Sequence, residues 1–447
     1  MKVLMLGWEF PPFISGGLGT ACYGLTRGMN EIGTQVLFLL PKPVVADQPS
    51  HVKMVWPEGR RSSTGALFSI EGLENVSLRT VEAGMGINPY TSPEEYQIQV
   101  SELREILDRE RETLQSILGD PLTGESWEEM LKPRPAASGH YDGDLFGEIE
   151  RYARMAVAIA SQEHFDVVHA HDWMTYRAGV AVAAISGKPL VVHVHSTEFD
   201  RSGEHVNQRI YDIERMGMHM ATRVICVSYL TRNVAVARYG VTPDKVDVVY
   251  NAIDLNGATP AAPPIKRDEK LVLFLGRITM QKGPEYFLAA AKKVLEVMSN
   301  VRFIMAGSGD MARHTIKLAG DLGIADKVLF TGFLRGKDVE RVFQMADLYV
   351  MPSVSEPFGI APLEALSNNT PVLISKQSGV SEILQHALKV DFWDVDEMAN
   401  KIIAVLRREP LREALREHGQ MEVRKMSWTD AARHCVQVYH RALQPAI

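Results

Sequence analysis

The sequence predicts an α/β protein built from two doubly wound, Rossmann-like domains that face each other across a cleft, with a last helix outside that rhythm. Three observations carry this expectation. Short apolar runs alternate with amphipathic stretches along most of the 447 residues, which is the pattern of a parallel sheet wrapped by helices. The alternation stops at LNGATPAAPPIKRDEK (255–270), rich in proline and alanine, and then starts afresh. A chain of this length with 46% apolar side chains has material for two cores.

The elements follow in order. KVLMLG (2–7) reads as a buried strand. Leu18, Cys22, Leu25, Met29 and Ile32 then recur at helical spacing, Gly33 offers a C-cap, and QVLFLL (35–40) is the next strand. Residues 51–143 are less regular, with a charged helix near 93–117 and a Pro/Gly-rich loop over 132–144. Strand signals resume with FDVVHA (165–170), PLVVHVH (189–195), RVICVS (223–228) and VDVVYN (246–251). Beyond the linker come LVLFLG (271–276), VRFIMAG (301–307), KVLFTG (327–332), DLYVMPS (347–353) and PVLIS (371–375). A final helix over 428–443 follows MSW. The expected division is 1–255, 256–427 and 428–447, with a ligand cleft at the carboxyl ends of the strands.

Composition removes several function classes. A net charge of −7 disfavours a nucleic-acid or anionic-membrane surface as the main partner. Cys22, Cys226 and Cys435 lie far apart without C-x-x-C spacing and read as reduced thiols of a cytoplasmic protein. The opening MKVLMLGWEF is too short an apolar run for a signal peptide, and no stretch of 18 apolar residues suggests a membrane span.

Three loops carry candidate chemistry. In SGGLG (15–19), Gly16 and Gly17 stand between a strand and a helix, where backbone N–H groups and the helix dipole can meet an anion. Ten residues separate that strand from its helix, too many for the tight turn of a dinucleotide site, and a loop that merely needs positive φ fits as well. In GRITMQKG (276–283), Arg277 sits at a strand end and Lys282 five residues on, so that two cations can clamp a diphosphate. In PSVSEPFGIAPLEA (352–365), the amides of Phe358, Gly359 and Ile360 precede a helix whose first turn holds Pro362. Glu356 lies in that loop and Glu364 one turn in; a carboxylate is a natural acceptor for vicinal sugar hydroxyls. Each of these charged groups, taken singly, also fits an ordinary surface position.

Two H-x-H pairs occupy successive strands. Alternation puts His169 and His171 on one side of theirs, and His193 and His195 on one side of theirs. A zinc site is one reading; two core histidines and two that line the cleft is another. Asp172 and His195, each at a strand's carboxyl end, are well placed for the cleft in either case.

Together these pieces resemble the retaining glycosyltransferases of the GT-B fold, family 4 type, related to glycogen and starch synthases. The resemblance spans nearly the whole chain: SGGLG, HAHDW (169–173), HVHST (193–197), YNAID (250–254), the Arg-x4-Lys of GRITMQK, and the two glutamates eight apart in EPFGIAPLE. It implies roles residue by residue. Arg277 and Lys282 look like the pair that binds and stabilises the donor's diphosphate, Glu364 like the ribose ligand, and Glu356 with the following amides like the donor-sugar site. His195 looks like the histidine beside the donor sugar, and Asp172 like the acidic residue near the acceptor. Gly16 and Gly17 look like the loop that meets the donor from the other domain. The resemblance further implies no metal or other cofactor, a last helix that returns to the first domain, and hexose transfer from a nucleoside-diphosphate sugar to a saccharide. Glucose and an α-glucan acceptor are the forms nearest to glycogen synthase. One position departs: the lysine that glycogen and starch synthases carry two residues before the glycine pair is Ile14 here.

The chemistry fits that reading, because breaking a glycosyl–phosphate bond builds negative charge where the cations and amides converge. Three rivals stay open at this point: a nucleotide-sugar epimerase of similar fold, a metal-dependent hydrolase on the paired H-x-H strands, and a non-catalytic nucleotide-sugar sensor.

Overall fold

The computed structural model describes residues 1–10, 17–41, 54–55, 67–70, 73–80, 145–254 and 269–444. Gly16, Ile14, the helix expected near 93–117, the loop over 132–144 and nearly all of the linker lie outside them.

The first sheet holds nine strands: β1 (Lys2–Leu6), β2 (Gln35–Leu40), β3 (Met54–Val55), β4 (Leu67–Ile70), β5 (Leu73–Thr80), β6 (Val167–His171), β7 (Leu190–Val194), β8 (Arg223–Cys226) and β9 (Val246–Val248). Their order is β3-β4-β5-β2-β1-β6-β7-β8-β9. From β5 to β9 every pairing is parallel, while β3 and β4 extend one edge as antiparallel strands. The second sheet is wholly parallel: β10 (Lys270–Leu275), β11 (Val301–Ala306), β12 (Val328–Gly332), β13 (Leu348–Met351), β14 (Val372–Ser375) and β15 (Leu388–Val390), in the order β12-β11-β10-β13-β14-β15. The unbroken apolar runs read from the sequence suit strands buried on both faces.

Each order reverses direction once. In the first sheet the chain builds outward on one side of β1 and then on the other with β6; in the second, the same happens between β10 and β13. Loops after the strands that flank such a switch point diverge to opposite faces and leave a crevice at their carboxyl ends. Among the described residues, those loops carry Asp172, Arg277–Lys282 and Pro352–Glu356.

Both faces of the first sheet are covered. On one lie α2 (Leu145–Ala160), α3 (Trp173–Ser186) and α5 (Gln208–Met220), with the short α4 (Glu198–Ser202) and α6 (Tyr229–Tyr239) beyond; on the other lie α1 (Gly17–Glu31) and the last helix. The second sheet is covered by α7 (Pro284–Val297), α8 (Ala312–Asp321), α9 (Lys337–Met345), α10 (Ala361–Ser367), α11 (Val395–Arg407) and α12 (Glu409–Val423). The last helix, α13 (Trp428–Leu443), starts at a Ser427 N-cap and crosses back to the first sheet. Trp428, Ala432, Cys435 and Tyr439 of α13 are buried with Cys22, Leu25 and Met29 of α1. The two helices touch closely because α1 has no side chain at Gly28, where a Cβ would stand 2.2 Å from the carbonyl oxygen of Trp428.

The two sheets meet through polar contacts at their carboxyl ends. Ser228, which caps α6, donates from Oγ to the carbonyl of Pro357 at 2.6 Å. The Glu382 carboxylate accepts from the amides of Tyr229 (2.9 Å) and Leu230 (2.7 Å) and from the Tyr250 hydroxyl (2.9 Å). Ser355 donates to Asp200 at 2.6 Å. Among the described residues no helix is long and apolar enough to cross a membrane.

Candidate active site

The cation-bearing loop is built by two turns in succession. β10 ends at Leu275, Arg277 follows exposed and without an ion pair among the described residues, and Met280–Lys282 form a 3-10 turn. Gly283 closes that turn with φ +65° and hands over to Pro284, the first residue of α7. Lys282 donates to the carboxylate of Glu356, which also accepts from Ser353 Oγ at 3.3 Å.

Glu356 is buried, and its loop is stitched to the strand beside it. Its amide donates to the Gln377 carbonyl (2.9 Å), and its own carbonyl accepts from the Gly379 amide (2.9 Å). The chain then turns at Gly359 (φ +100°) into α10, leaving the amides of Phe358, Gly359 and Ile360 without acceptors among the described residues. Glu364 sits in the first turn of α10, where burial pushes its carboxyl up to about 7. Tyr349 of β13 lies near both glutamates: burial first, and then the charges of Glu356 and Glu364, hold its phenol in the neutral form.

On the first sheet the chemistry gathers after β6 and β7. Asp172 adopts φ 58°, a backbone region costly for a residue with a side chain. That twist turns its buried carboxylate back onto the next loop, where Oδ1 accepts the amides of His195 (2.7 Å) and Ser196 (3.3 Å). Burial raises this carboxyl to about 7, against the lowering pull of the His195 amide and Arg201. The carboxylate read as an acceptor-side group is thus engaged in holding the His195 loop. Two residues beyond His195, Thr197 and Asp200 form a capping box that starts α4. Asp200 takes the Ser355 bond, so this short helix meets the Lys282–Glu356 side directly.

All four histidines fall on one face. His169, His171 and His193 are buried and His195 is half-buried. Their rings stack at centroid distances of 4.3 Å (His169–His171), 5.3 Å (His171–His193) and 4.2 Å (His193–His195). Alternation gave the side within each strand; the parallel pairing of His171 with His193 brings the two sets together. Tyr439 of α13 is 2.7 Å from Nδ1 of His169, and His171 Nδ1 is 2.9 Å from His195 Nε2. Burial holds His169 and His195 neutral by pushing each down to about 3. Nitrogens of His169, His171 and His193 come within 4.8 Å of one another, a spacing a metal could use. Their ring planes are tilted 37°, 11° and 29° from one another.

The structure therefore brings Lys282 and Glu356 into contact, sets Arg277 and Glu364 on the same edge, and places His195 and Asp172 on the facing loops. Gly17 is the first residue of α1; it is exposed, has ordinary φ, and a Cβ there would meet nothing within 4 Å among the described residues. The positive φ considered for that loop is not required at Gly17. Sequence reading missed Ser228, Ser355, Asp200 and Glu382, which join the two sheets. Asp200, in the T-x-x-D of TEFD, and Ser228, a serine directly before a helix, had local signals as helix caps, but none that marks them as partners across the two sheets.

Comparison with known proteins agrees with this architecture. The family profiles "Glycosyl transferases group 1", "Glycosyltransferase Family 4" and "Starch synthase catalytic domain" match residues 258–421, 128–256 and 2–102. An uncharacterised glycosyltransferase of Methanocaldococcus jannaschii is 29% identical over 464 aligned residues, covering 99% of each chain. A D-inositol 3-phosphate glycosyltransferase of Frankia alni is 30% identical, covering 69% of this chain and 84% of its own. Sucrose-phosphate synthase from Thermosynechococcus elongatus superposes with a TM-score of 0.67 at 17% identity, covering 98% of both chains. The chain belongs to the group 1, family 4 glycosyltransferases and has their GT-B fold.

Proposed function

We propose that this glycosyltransferase moves a hexose, glucose first among them, from a nucleoside-diphosphate sugar to a saccharide hydroxyl with retention of the anomeric configuration. The observation that carries the proposal is the Lys282–Glu356 pair at the switch point of the second sheet, opposite the His195 loop of the first. In this pair each charge neutralises the other. An incoming diphosphate offers Lys282 a doubly anionic partner, with Arg277 exposed beside it, and releases the Glu356 carboxylate to accept from sugar hydroxyls. The loop amides of Phe358, Gly359 and Ile360 add donors to the same region. As the bond from the anomeric carbon to the phosphate oxygen breaks, charge grows on that oxygen. The acceptor oxygen bonds to the same face of the sugar and its proton passes to the departing phosphate. The match to a starch synthase catalytic domain supports a glucan as acceptor, while Ile14 removes a cation that glucan synthases carry in that loop.

Calorimetric titration with UDP-glucose and ADP-glucose tests the donor half of this reading. Saturable binding that weakens in Arg277→Ala supports it; no binding of any nucleotide sugar contradicts it. Chelation with EDTA is expected to leave transfer intact, because Arg277, Lys282 and the loop amides meet the diphosphate's charge. Activity lost on chelation and restored by magnesium or zinc would count against this metal-free site.

Glu364 gives the site a pH signature. Its folded value of about 7 lies above the ordinary carboxyl value of about 4.3. Its contribution to stability is therefore full when neutral and is lost as pH rises toward 7. Donor affinity runs the other way, since the ionised carboxylate accepts better from ribose hydroxyls. Thermal unfolding and calorimetry across pH 5–8 should show the two opposite trends, and Glu364→Gln should flatten the Glu364 part of both. An unchanged pH dependence in that variant would remove Glu364 from the donor site.

A further inference from the structure

We infer that His171 is a positioning residue that fixes His195 in one neutral tautomer, with its proton on Nδ1, so that His195 meets the substrate as a hydrogen-bond donor. The tautomer is a property of the free protein; only the identity of the oxygen it meets rests on the glycosyl-transfer reading.

The argument starts from the 2.9 Å contact between His171 Nδ1 and His195 Nε2. A neutral imidazole has one N–H and one bare nitrogen, so two assignments satisfy that contact. In the first, His195 donates from Nε2, and His171 must carry its own proton on Nε2. That nitrogen is buried with no partner among the described residues. In the second, His171 donates from Nδ1, and its buried Nε2 is left only with a lone pair. Neutral His193, with neither nitrogen partnered among the described residues, already leaves one orphaned N–H in this cluster; orphaned buried N–H groups are rare, and the second assignment avoids adding another. The second assignment therefore prevails, and it places the His195 proton on Nδ1. Neither ring takes a second proton near neutral pH, since burial pushes both far down.

The surroundings lock this choice. His193 stacks on both rings, at 5.3 Å from His171 and 4.2 Å from His195. Asp172 Oδ1 fixes the backbone amide of His195 from below. With Nε2 occupied by His171, the remaining nitrogen of His195 can only donate. It suits an oxygen with lone pairs, such as a sugar hydroxyl or a phosphate oxygen, and it is no general base.

Ring-¹⁵N-histidine labelling of the full chain, without ligand, reads the tautomer from the nitrogen shifts, with the His195→Asn variant identifying the signal. The expected result is a bare Nε2 and a protonated Nδ1 on His195. His171→Leu should convert His195 to a mixture of tautomers. His171→Asn, which keeps an amide N–H near the Nδ1 position, should restore the wild-type form. In transfer assays His171→Leu should lose about ten-fold in kcat, the scale of one hydrogen bond, and His171→Asn should regain most of it. A proton on His195 Nε2 in the wild type overturns the inference even if no variant folds. So does a His195 tautomer unchanged in folded His171→Leu. If the protein turns over no nucleotide sugar, the spectrum still decides the tautomer while the glycosyl-transfer reading fails alone.

Discussion

Lys282→Ala is expected to lower kcat by about 10²–10³, some 3–4 kcal/mol of transition-state stabilisation, with a much smaller change in donor affinity. Charge on the phosphate grows as the glycosyl bond breaks, so the cation is worth more in the transition state than in the ground state. The variant has a second consequence, because it strips the buried Glu356 carboxylate of its lysine. That unpaired charge would face the donor's diphosphate and repel it. The double variant Lys282→Ala/Glu356→Gln should therefore recover the donor binding lost in the single one, without recovering kcat. Steady-state kinetics beside calorimetric binding separate the two effects. A folded Lys282→Ala enzyme with wild-type turnover would remove this lysine from the chemistry.

Gly283→Ala should damage both fold and site. The residue holds φ +65°, and a Cβ would lie 2.1 Å from the carbonyl oxygen of Pro352, a backbone atom that cannot swing aside. The left-handed backbone costs an alanine about 1–2 kcal/mol, and forcing the contact open adds about 1–3 kcal/mol. What yields is the approach of the Lys282 turn to the loop that carries Glu356. The melting temperature should fall by several degrees and donor affinity should fall with it. Gly320→Ala is the control: it lies inside α8 with ordinary φ and nothing within 4 Å of its Cβ, so alanine there should be neutral or slightly stabilising. Equal melting temperatures for the two variants would mean that the loops are not packed as described.

The architecture was largely legible because parallel strands buried on both faces leave continuous apolar runs. Eleven such runs read from the sequence each coincide with a strand, allowing up to three residues at the ends. The last helix matches its expected 428–443 because Ser427 and the apolar spacing mark it locally. The cation and glutamate motifs were legible for a similar reason: Pro284 and Pro362 mark helix starts, which puts Arg277, Lys282 and Glu356 at a strand's carboxyl end. What stayed hidden depends on pairings distant in sequence. Ser228 and Pro357 are joined by fold alone, and no local pattern marks either as a partner of the other. The histidine stack needed the register of β6 against β7, which periodicity within one strand does not supply. The role of Asp172 was obscured for a different reason. A carboxylate at a strand's carboxyl end reads as a cleft residue, whereas its positive φ turns it onto the His195 loop.

Turnover is the most direct test of the central claim. Purified protein is incubated with a panel of UDP- and ADP-hexoses, each alone and with glucan or small-sugar acceptors, and released nucleoside diphosphate and glycosylated product are both quantified. The account predicts acceptor-dependent release from at least one donor, with an α-linked product in equal amount and both lost in Lys282→Ala. Nucleoside diphosphate released without any acceptor product, or conversion of the nucleotide sugar to its epimer, would contradict it.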